Sequence, residues 1–335
     1  MSSRRVALTA ALVAAGVGLS ACGSADPAPT ADATNGAGQG GKIAVVASFY
    51  PLAYAVQQVG GDKVEVTNLT KPGAEPHDLE LTPQDVATVT EAKLAVYEKG
   101  FQPAVDKAIA DQEVRAFDVS TVADLSLRYT DAIGAADAHE KPAPGATDAG
   151  DHAGHDHETQ AGTTDPHFWL DPIRYQKVAQ AIATELGRID PINKGAYYEN
   201  ATTFSKELTT LDGDFAAALR TCKSKKLVTS HAAFAYLADR FGLQQVAISG
   251  LSPEAEPDPA RLAAISDYVK ANKVTTIYTE TLVSPALAET LAKETGASTA
   301  VLDPLEGLND STPGANYLSV MRTNLATLEK GQQCA

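Results

Sequence analysis

The sequence predicts an α/β protein of two lobes, each with a mainly parallel sheet, joined by a long rigid helix. Short β-rich runs alternate with helical stretches from Lys42 onward, and the alternation resumes after residue 222. Such alternation is typical of parallel sheets covered by helices. Between the halves, apolar residues recur at spacings of three and four, which indicates one buried helical face. They are Phe204, Leu208, Leu211, Phe215 and Leu219.

The N-terminal lobe is predicted over residues 42–190. Thr82 and Pro83 begin one of its helices, because a Thr-Pro pair suits the N-cap and the first helical position. The predicted strands are 43–47, 64–69, 94–97 and 114–117, and the predicted helices are 51–59, 82–91, 103–110 and 172–187.

The linking segment, 191–222, contains a predicted helix from Asn193 to Leu219 that would span about 40 Å at the standard rise. In the C-terminal lobe, 223–335, Gly242 and Gly296 are expected to end two helices. This lobe has predicted strands at 227–230, 245–248, 274–279 and 298–302, and predicted helices at 231–241, 259–271, 285–295 and 317–330.

Composition excludes several classes of protein. The 335 residues carry 27 basic and 42 acidic side chains, a net charge of −15, so a nucleic-acid partner is not expected and cations would be attracted. Three cysteines are too few for a Cys-rich zinc protein, and two methionines argue against a thioether copper site. The seven histidines are therefore the candidates for metal chemistry.

The N-terminal segment is typical of an export signal. Arg4 and Arg5 precede an uncharged run, 6–19, that is short for a membrane span and suits a signal peptide ending at residue 21. The Leu-Ser-Ala-Cys sequence that ends at Cys22 resembles a bacterial lipobox, which predicts lipidation of that cysteine. The alternative is an ordinary cleavable signal. Residues 22–41 lack large apolar side chains and are expected to form a flexible tether.

Two cysteines remain in the exported chain, Cys222 and Cys334. An even number outside the reducing cytosol suggests one disulfide, although two separate thiols are the alternative. The bond would fasten the C-terminus to the start of the second lobe.

An insertion interrupts the first lobe at 131–165. It holds eight acids and four histidines, and its only large apolar residue is Ile133, so we expect a mobile surface segment. A collector of metal ions and a merely solvated loop are the two interpretations. The histidines are His139, His152, His155 and His157.

Four potential ligands lie in predicted turns that leave strands: His77, His167, His231 and Glu280. Open parallel sheets gather ligands at the carboxyl ends of their strands, so these side chains are expected to meet in the cleft between the lobes. Three imidazoles and one carboxylate suit tetrahedral zinc. Any one histidine alone would more often be a hydrogen-bonded structural residue, and Glu280 could equally be an acid near a helix start.

Several segments together resemble the zinc-binding members of the cluster A-I family, the solute-binding proteins of metal-ion ABC transporters. The resemblance covers nearly the whole mature chain. The segments are 46–52 (VASFYPL), 72–83 (PGAEPHDLELTP), 165–172 (DPHFWLDP), 230–237 (SHAAFAYL), 278–280 (YTE) and 302–308 (LDPLEGL).

The resemblance implies Zn²⁺ as the transported ligand and metal contact by His77, His167, His231 and Glu280. Relatives sometimes fill the fourth position with water, and Asp303 is a nearby candidate for an alternate ligand or for a hydrogen-bond partner of a ligand. Manganese members of the family typically carry a carboxylate where His231 stands, so zinc is favoured. A His- and acid-rich loop before the second ligand is also common in zinc members, which favours metal collection by the insertion.

The resemblance further implies a monomer without enzymatic activity, held by its lipid at the outer face of the bacterial cytoplasmic membrane, that delivers zinc to an integral-membrane ABC permease. Three alternatives stay open: a manganese-binding member of the same family, a secreted zinc hydrolase and a surface adhesin. A hydrolase would keep an open water position and a separate general base. No H-E-x-x-H motif or phosphate loop occurs in the sequence.

Overall fold

Each half of the chain contains a four-stranded parallel sheet with helices on both faces. The computed structural model describes residues 41–112, 114–130, 133, 162–309 and 314–335. The first lobe consists of β1 (Ile43–Ala47), α1 (Tyr50–Gly60), β2 (Val64–Asn68), α2 (Pro83–Glu91), β3 (Leu94–Tyr97), α3 (Pro103–Gln112), β4 (Ala116–Asp118) and α4 (Ser120–Ala123).

Two long helices follow, α5 (Pro172–Ile189) and α6 (Lys194–Leu219). The second lobe consists of β5 (Lys226–Thr229), α7 (Ala235–Phe241), β6 (Gln244–Ala247), α8 (Pro259–Ala271), β7 (Thr276–Thr279), α9 (Ala286–Thr295), β8 (Ser298–Val301) and α10 (Tyr317–Gly331).

The two sheets have the same topology. Their strand orders are β2-β1-β3-β4 and β6-β5-β7-β8, and every pairing within them is parallel. The predicted class, two α/β lobes with parallel sheets, is therefore confirmed. In such sheets the loops at the carboxyl ends of the strands lie along one edge, where ligands bind.

Alternation along the central strands divides each sheet between two cores. Val45 faces the main core and Val46 faces a separate cluster with Val89 of α2. In the second lobe Leu227 faces the main core and Val228 faces an outer cluster with residues of α8 and α9. The main core thus runs through both lobes, and each lobe has its own outer layer.

Helices α5 and α6 form the centre of the main core. Asp171 caps α5 by accepting hydrogen bonds from the backbone N–H groups of Ile173 and Arg174, and Pro172 occupies its first turn. The predicted helix from Asn193 to Leu219 agrees with the observed α6. All five apolar residues on its predicted face are buried.

A disulfide joins Cys222 to Cys334, as predicted. The two chain segments next to the disulfide are also hydrogen-bonded, since the backbone N–H of Ser224 donates to the carbonyl of Gln332 at 3.1 Å. The bond spans 112 residues, for which the chain-entropy model gives about 4–5 kcal/mol of stabilisation. It fastens the end of α10 to the segment after α6.

The predicted C-terminal boundary of the insertion, at residue 165, is wrong. Thr164 pairs with Arg128 in an isolated antiparallel bridge, and Asp165 is 1% exposed and donates its backbone N–H to Leu127. Ile133 also contacts the outer cluster of the second lobe. The acidic composition of the segment led to the assignment of Asp165 to the insertion. In the structure Asp165 is buried against His167 and belongs to the folded lobe.

The signal peptide, Cys22 and nearly all of the tether lie outside the described residues, as do His139, His152, His155 and His157. Within the described part of the chain, no helix combines the length and apolar character needed to cross a membrane.

Candidate metal centre

Three imidazole nitrogens converge on one carboxylate oxygen in the cleft between the lobes. The Nε2 atoms of His167 and His231 each lie 3.1 Å from Oε1 of Glu306, and Nε2 of His77 lies 3.3 Å from it. The Nε2 atoms of His167 and His231 are 3.4 Å apart. Among the described residues this is the only cluster of at least three His, Cys, Asp or Glu side chains with metal-binding geometry.

These separations match those of a tetrahedral zinc shell. Zinc–nitrogen and zinc–oxygen bonds of about 2.0–2.1 Å place neighbouring ligand atoms about 3.3–3.4 Å apart. A small ion at the centre of the four atoms would therefore require little movement of their side chains. Most of the cluster is also buried, because His167, His231 and Glu306 are at most 1% exposed.

His77 lies in the loop between β2 and α2, as the sequence predicts, and the loop after β3 supports it. The ring of Phe101 packs edge-on against His77 with 4.6 Å between centroids, and Gln102 donates to the carbonyl of Pro76 at 3.1 Å. The backbone N–H of His77 donates to Glu75. His77 is nevertheless the most exposed of the four side chains, at 11%.

His167 does not follow a strand, contrary to the prediction. It precedes a short 3-10 helix, Phe168–Leu170, and its backbone N–H and Nδ1 both lie 2.8 Å from Oδ1 of Asp165. Trp169 then donates its indole N–H to the carbonyl of Pro304, at 2.8 Å. The His167 segment is thereby tied directly to the loop that carries Glu306.

His231 follows β5, as predicted, but Glu280 occupies a different place from the expected one. The carboxylate of Glu280, immediately after β7, lies 2.9 Å from the backbone N of His231 and 2.6 Å from its Nδ1. Both carboxylate oxygens are thus engaged by His231, on the side of the ring away from the cluster. The expectation that Glu280 completes the cluster is wrong in this geometry.

Glu306 completes the cluster instead, and Asp303 shapes the turn that presents it. Oδ1 of Asp303 accepts the backbone N–H of Leu305 at 2.7 Å, and its Oδ2 accepts the hydroxyl of Thr281 at 3.0 Å. Leu305 adopts a left-handed conformation, with φ of 60°. Asp303 is therefore not in the cluster, and its interactions stabilise the unusual backbone that turns Glu306 into the cleft.

Sequence reasoning missed Glu306 although its segment was among those that carried the resemblance. Its signal was available: an acid followed by glycine, shortly after the last predicted strand of the second lobe. The sequence favours Glu280 as the fourth ligand because it directly follows a predicted strand. Four residues, 302–305, lie between β8 and Glu306, and the direction of the Glu306 side chain depends on the turn at Leu305.

Charges in the metal-free cluster stabilise one another. Burial raises the pKa of the Glu306 carboxyl, but His231, His167 and His77 outweigh it and hold that pKa well below its usual range. Burial lowers the pKa of His231, but Glu280 and Glu306 outweigh it and hold that pKa well above its usual range. The pKa of His167 is raised in the same way, since Asp165 and Glu306 outweigh burial.

A cavity of about 540 Å³ opens beside His77. Residues of both lobes line it, including Glu98 and Phe101 from the first and Leu251 and Ser252 from the second. Because His77 contributes to both the cavity and the cluster, the cavity borders the cluster at His77.

Comparison with known proteins agrees with this geometry. Residues 45–331 match the sequence model of the family described as zinc-uptake complex component A, periplasmic. The zinc-binding lipoprotein AdcA of Streptococcus pneumoniae is 39% identical over 300 residues, which cover 87% of this chain and 56% of AdcA. The chain thus spans little more than half the length of that relative.

The high-affinity zinc uptake system protein ZnuA of Bacillus subtilis is 34% identical over 317 residues, which cover 93% of this chain and 92% of that protein. The crystal structure of the Zn(II)-bound ZnuA-like domain of Streptococcus pneumoniae AdcA superposes with a TM-score of 0.68 at 38% identity, covering 87% of this chain and 99% of that domain. Because the family match extends over almost all of the described residues, this chain belongs to the family of periplasmic zinc-uptake component A.

Proposed function

We propose that this protein captures Zn²⁺ outside the cytoplasm with His77, His167, His231 and Glu306 and delivers it to an ABC permease for import. The observation that carries the proposal is the convergence of three Nε2 atoms on one Glu306 oxygen at separations of 3.1–3.3 Å. The names and the zinc-bound state of the relatives support the same substrate.

The donor set favours zinc over manganese. Three neutral imidazoles and one carboxylate form a nitrogen-rich tetrahedral shell, whereas Mn²⁺ prefers oxygen-rich sites of higher coordination number. The histidine at position 231 supplies the nitrogen that distinguishes the two donor sets.

Asp165 and Glu280 act on zinc through the histidines. Each carboxylate lies on the Nδ1 side of an imidazole, so it accepts a hydrogen bond from the Nδ1–H group and leaves the Nε2 lone pair directed at the cluster. Zinc displaces the Nε2 protons of the metal-free state, and these protons pass to solvent as the ion binds. Loading is therefore coupled to proton release.

The geometry supports capture rather than hydrolysis. Catalytic zinc keeps three protein ligands and an open position for water, with a general base close by. Here Glu306 fills the fourth position, and the nearby carboxylates of Asp165 and Glu280 are held by the histidines. Among the described residues, neither of these two carboxylates is therefore free to act as a general base, which argues against the hydrolase alternative.

The family and the N-terminal sequence support a proposed location and proposed partners. The proposal includes lipidation at Cys22, retention at the outer face of the cytoplasmic membrane, and a monomer that docks on an integral-membrane permease. The histidines at 139, 152, 155 and 157 are proposed to collect zinc near the cleft. The acidic charge of the chain supports attraction of cations and argues against nucleic acid.

Metal analysis of the purified protein tests the proposal. The wild-type chain is expected to retain one zinc ion per molecule after dialysis, and His77→Ala, His231→Ala and Glu306→Ala are expected to retain much less. Manganese in the wild type, or no metal, would contradict the proposal. Poor growth of a deletion strain under zinc limitation, rescued by added zinc, separates import from the adhesin alternative.

A further inference from the structure

Glu98 is a buried carboxyl group that the metal cluster does not use. It follows β3, is 2% exposed, and its Oε2 has no hydrogen-bond partner among the described residues. An unpaired buried carboxyl is costly, so its presence beside the cavity calls for a role. Burial is the main cause that raises the pKa of Glu98 well above its usual range, and the charges of Asp165, Asp118 and Asp106 add to it.

The position of Glu98 connects it to the cluster. Glu98 and His77 line the same cavity of about 540 Å³, and His77 is the only one of the four cluster residues in that wall. The loop that carries Glu98 also supports His77, because Phe101 packs on its ring and Gln102 holds Pro76. Glu98 and the most exposed ligand thus lie on two loops that line the same cavity and contact each other.

We propose that Glu98 is a transient zinc ligand, which takes the ion in the cavity and passes it to His77 and the buried cluster. A carboxylate is a suitable oxygen ligand for zinc. The approaching dication displaces the proton of the carboxyl group, which leaves to the water of the cavity, so the step is an exchange of one proton for one metal bond. This proposal rests on the proposed function and adds a path by which zinc reaches the buried cluster.

The route has a kinetic signature. A group that binds the ion only in transit lowers the barrier in both directions, so its removal slows association and dissociation equally and leaves the affinity unchanged. Clefts that concentrate a charged ligand raise association rates by about tenfold or more. We therefore expect Glu98→Gln to slow both zinc association and chelator-driven release about tenfold.

The single tryptophan provides the readout. Trp169 lies 5.3 Å from the ring of His167, so zinc loading is expected to change its fluorescence, and a zinc-sensitive dye gives a second signal. Stopped-flow mixing of zinc with the full mature chain compares wild type with Glu98→Gln. Glu80→Gln is the matched control, because it removes an exposed acid from the loop of His77 and is expected to leave both rates unchanged.

Three results would overturn the proposal: unchanged association in Glu98→Gln, equal slowing in Glu80→Gln, or weaker affinity of Glu98→Gln with unchanged association. Should Glu98→Gln fail to fold, Glu98→Asp carries the test, since the shortened carboxylate is expected to slow both rates by a smaller factor, and unchanged rates would contradict the route. A wild-type chain that takes up no zinc would contradict the proposed function itself, which is a different outcome from all of these.

Discussion

The two sides of the metal cluster are built differently. On the inner side, His167 and His231 are fully buried, and each has a carboxylate at its Nδ1 atom. On the outer side, His77 borders the open cavity, and its contacts outside the cluster include a backbone hydrogen bond to Glu75 and the ring of Phe101 but, among the described residues, no carboxylate contact at Nδ1. The inner histidines are fixed before zinc arrives, whereas His77 is held by softer contacts.

This difference suggests a division of labour. Preorganised inner ligands keep the affinity high, because no ordering of their side chains is needed when zinc binds. An outer ligand with more freedom can admit and release the ion without disturbing the buried hydrogen bonds. The same polypeptide thus combines tight capture with a route for transfer.

Removal of a histidine is expected to have the largest effect, and the two sides should respond differently. His231→Ala and His77→Ala should each weaken zinc binding by more than about 100-fold. This exceeds the effect of removing a residue that only hydrogen-bonds to a metal ligand, which is about 10–100-fold. His231→Ala also leaves the buried carboxylate of Glu280 without its partner, which should lower the metal-free free energy of unfolding by about 3–5 kcal/mol. His77→Ala should lower the free energy of unfolding by less, since Glu306 still contacts the imidazoles of His167 and His231.

Urea unfolding and competition with a chelator measure both quantities. Equal losses of stability in the two variants would show that the inner side is not specially braced.

The carboxylates behind the inner histidines should have the next largest effect. Glu280→Gln and Asp165→Asn change the acceptor at Nδ1 and are each expected to weaken zinc affinity about 10–100-fold, with one ion still bound at saturation. Glu75→Gln is the control from the outer side, because Glu75 binds backbone N–H groups of His77 and Asp78. Isothermal titration gives the affinities. An equal loss in Glu75→Gln would remove the distinction between the two sides.

The pH dependence of stability should reverse between the metal-free and zinc-loaded proteins. The raised pKa values of His231 and His167 give the metal-free form stability that is fully present below about pH 6.5 and is lost as the pH rises through the folded-state pKa values. The depressed pKa of Glu306 gives stability that is present above about pH 4.5 and is lost as the pH falls through its folded-state value.

The metal-free protein should therefore gain most from these groups between about pH 4.5 and 6.5 and lose stability toward alkaline pH. The loaded protein should lose zinc toward acidic pH, because protons compete for Nε2. Urea unfolding at several pH values, with and without a chelator, measures both trends. Parallel trends in the two forms would contradict the assigned charges.

The smallest effect is expected for the aromatic support of the outer ligand. Phe101→Leu keeps the apolar volume but removes the ring contact with His77, which should weaken zinc affinity about 2–10-fold, as for the loss of an aromatic pair. The corresponding change of a distant ring, Phe241→Leu on α7, serves as the control and should leave the affinity unchanged. A loss above 100-fold for Phe101→Leu would mean that the outer side is as rigid as the inner one.

Most of the fold could be predicted because its signals are periodic. Alternating β-rich and helical runs indicated two parallel sheets, and the spacing from Phe204 to Leu219 indicated α6 nearly to the residue. The three cluster histidines followed from their places in loops that meet at the carboxyl edges of the sheets, although His167 reaches the cluster from a 3-10 helix rather than from a strand.

The fourth member of the cluster could not be assigned in the same way. Glu280 and Glu306 both follow strands of the second lobe, and the sequence does not say whether a carboxylate contacts a metal or the far side of a histidine. That choice depends on the left-handed turn at Leu305, whose backbone N–H donates to Asp303, while Asn324 of α10 holds Asp303 from a distant part of the chain. Such tertiary contacts leave no periodic pattern in the sequence.

X-ray absorption at the zinc edge identifies the atoms bound to the ion and therefore decides whether Glu306 or Glu280 is the fourth ligand. We expect three imidazole nitrogens and a carboxylate oxygen at about 2.0–2.1 Å in the wild type. We also expect an unchanged shell in Glu280→Gln and an altered shell in Glu306→Gln. An altered shell in Glu280→Gln together with an unchanged one in Glu306→Gln would contradict the assignment of Glu306.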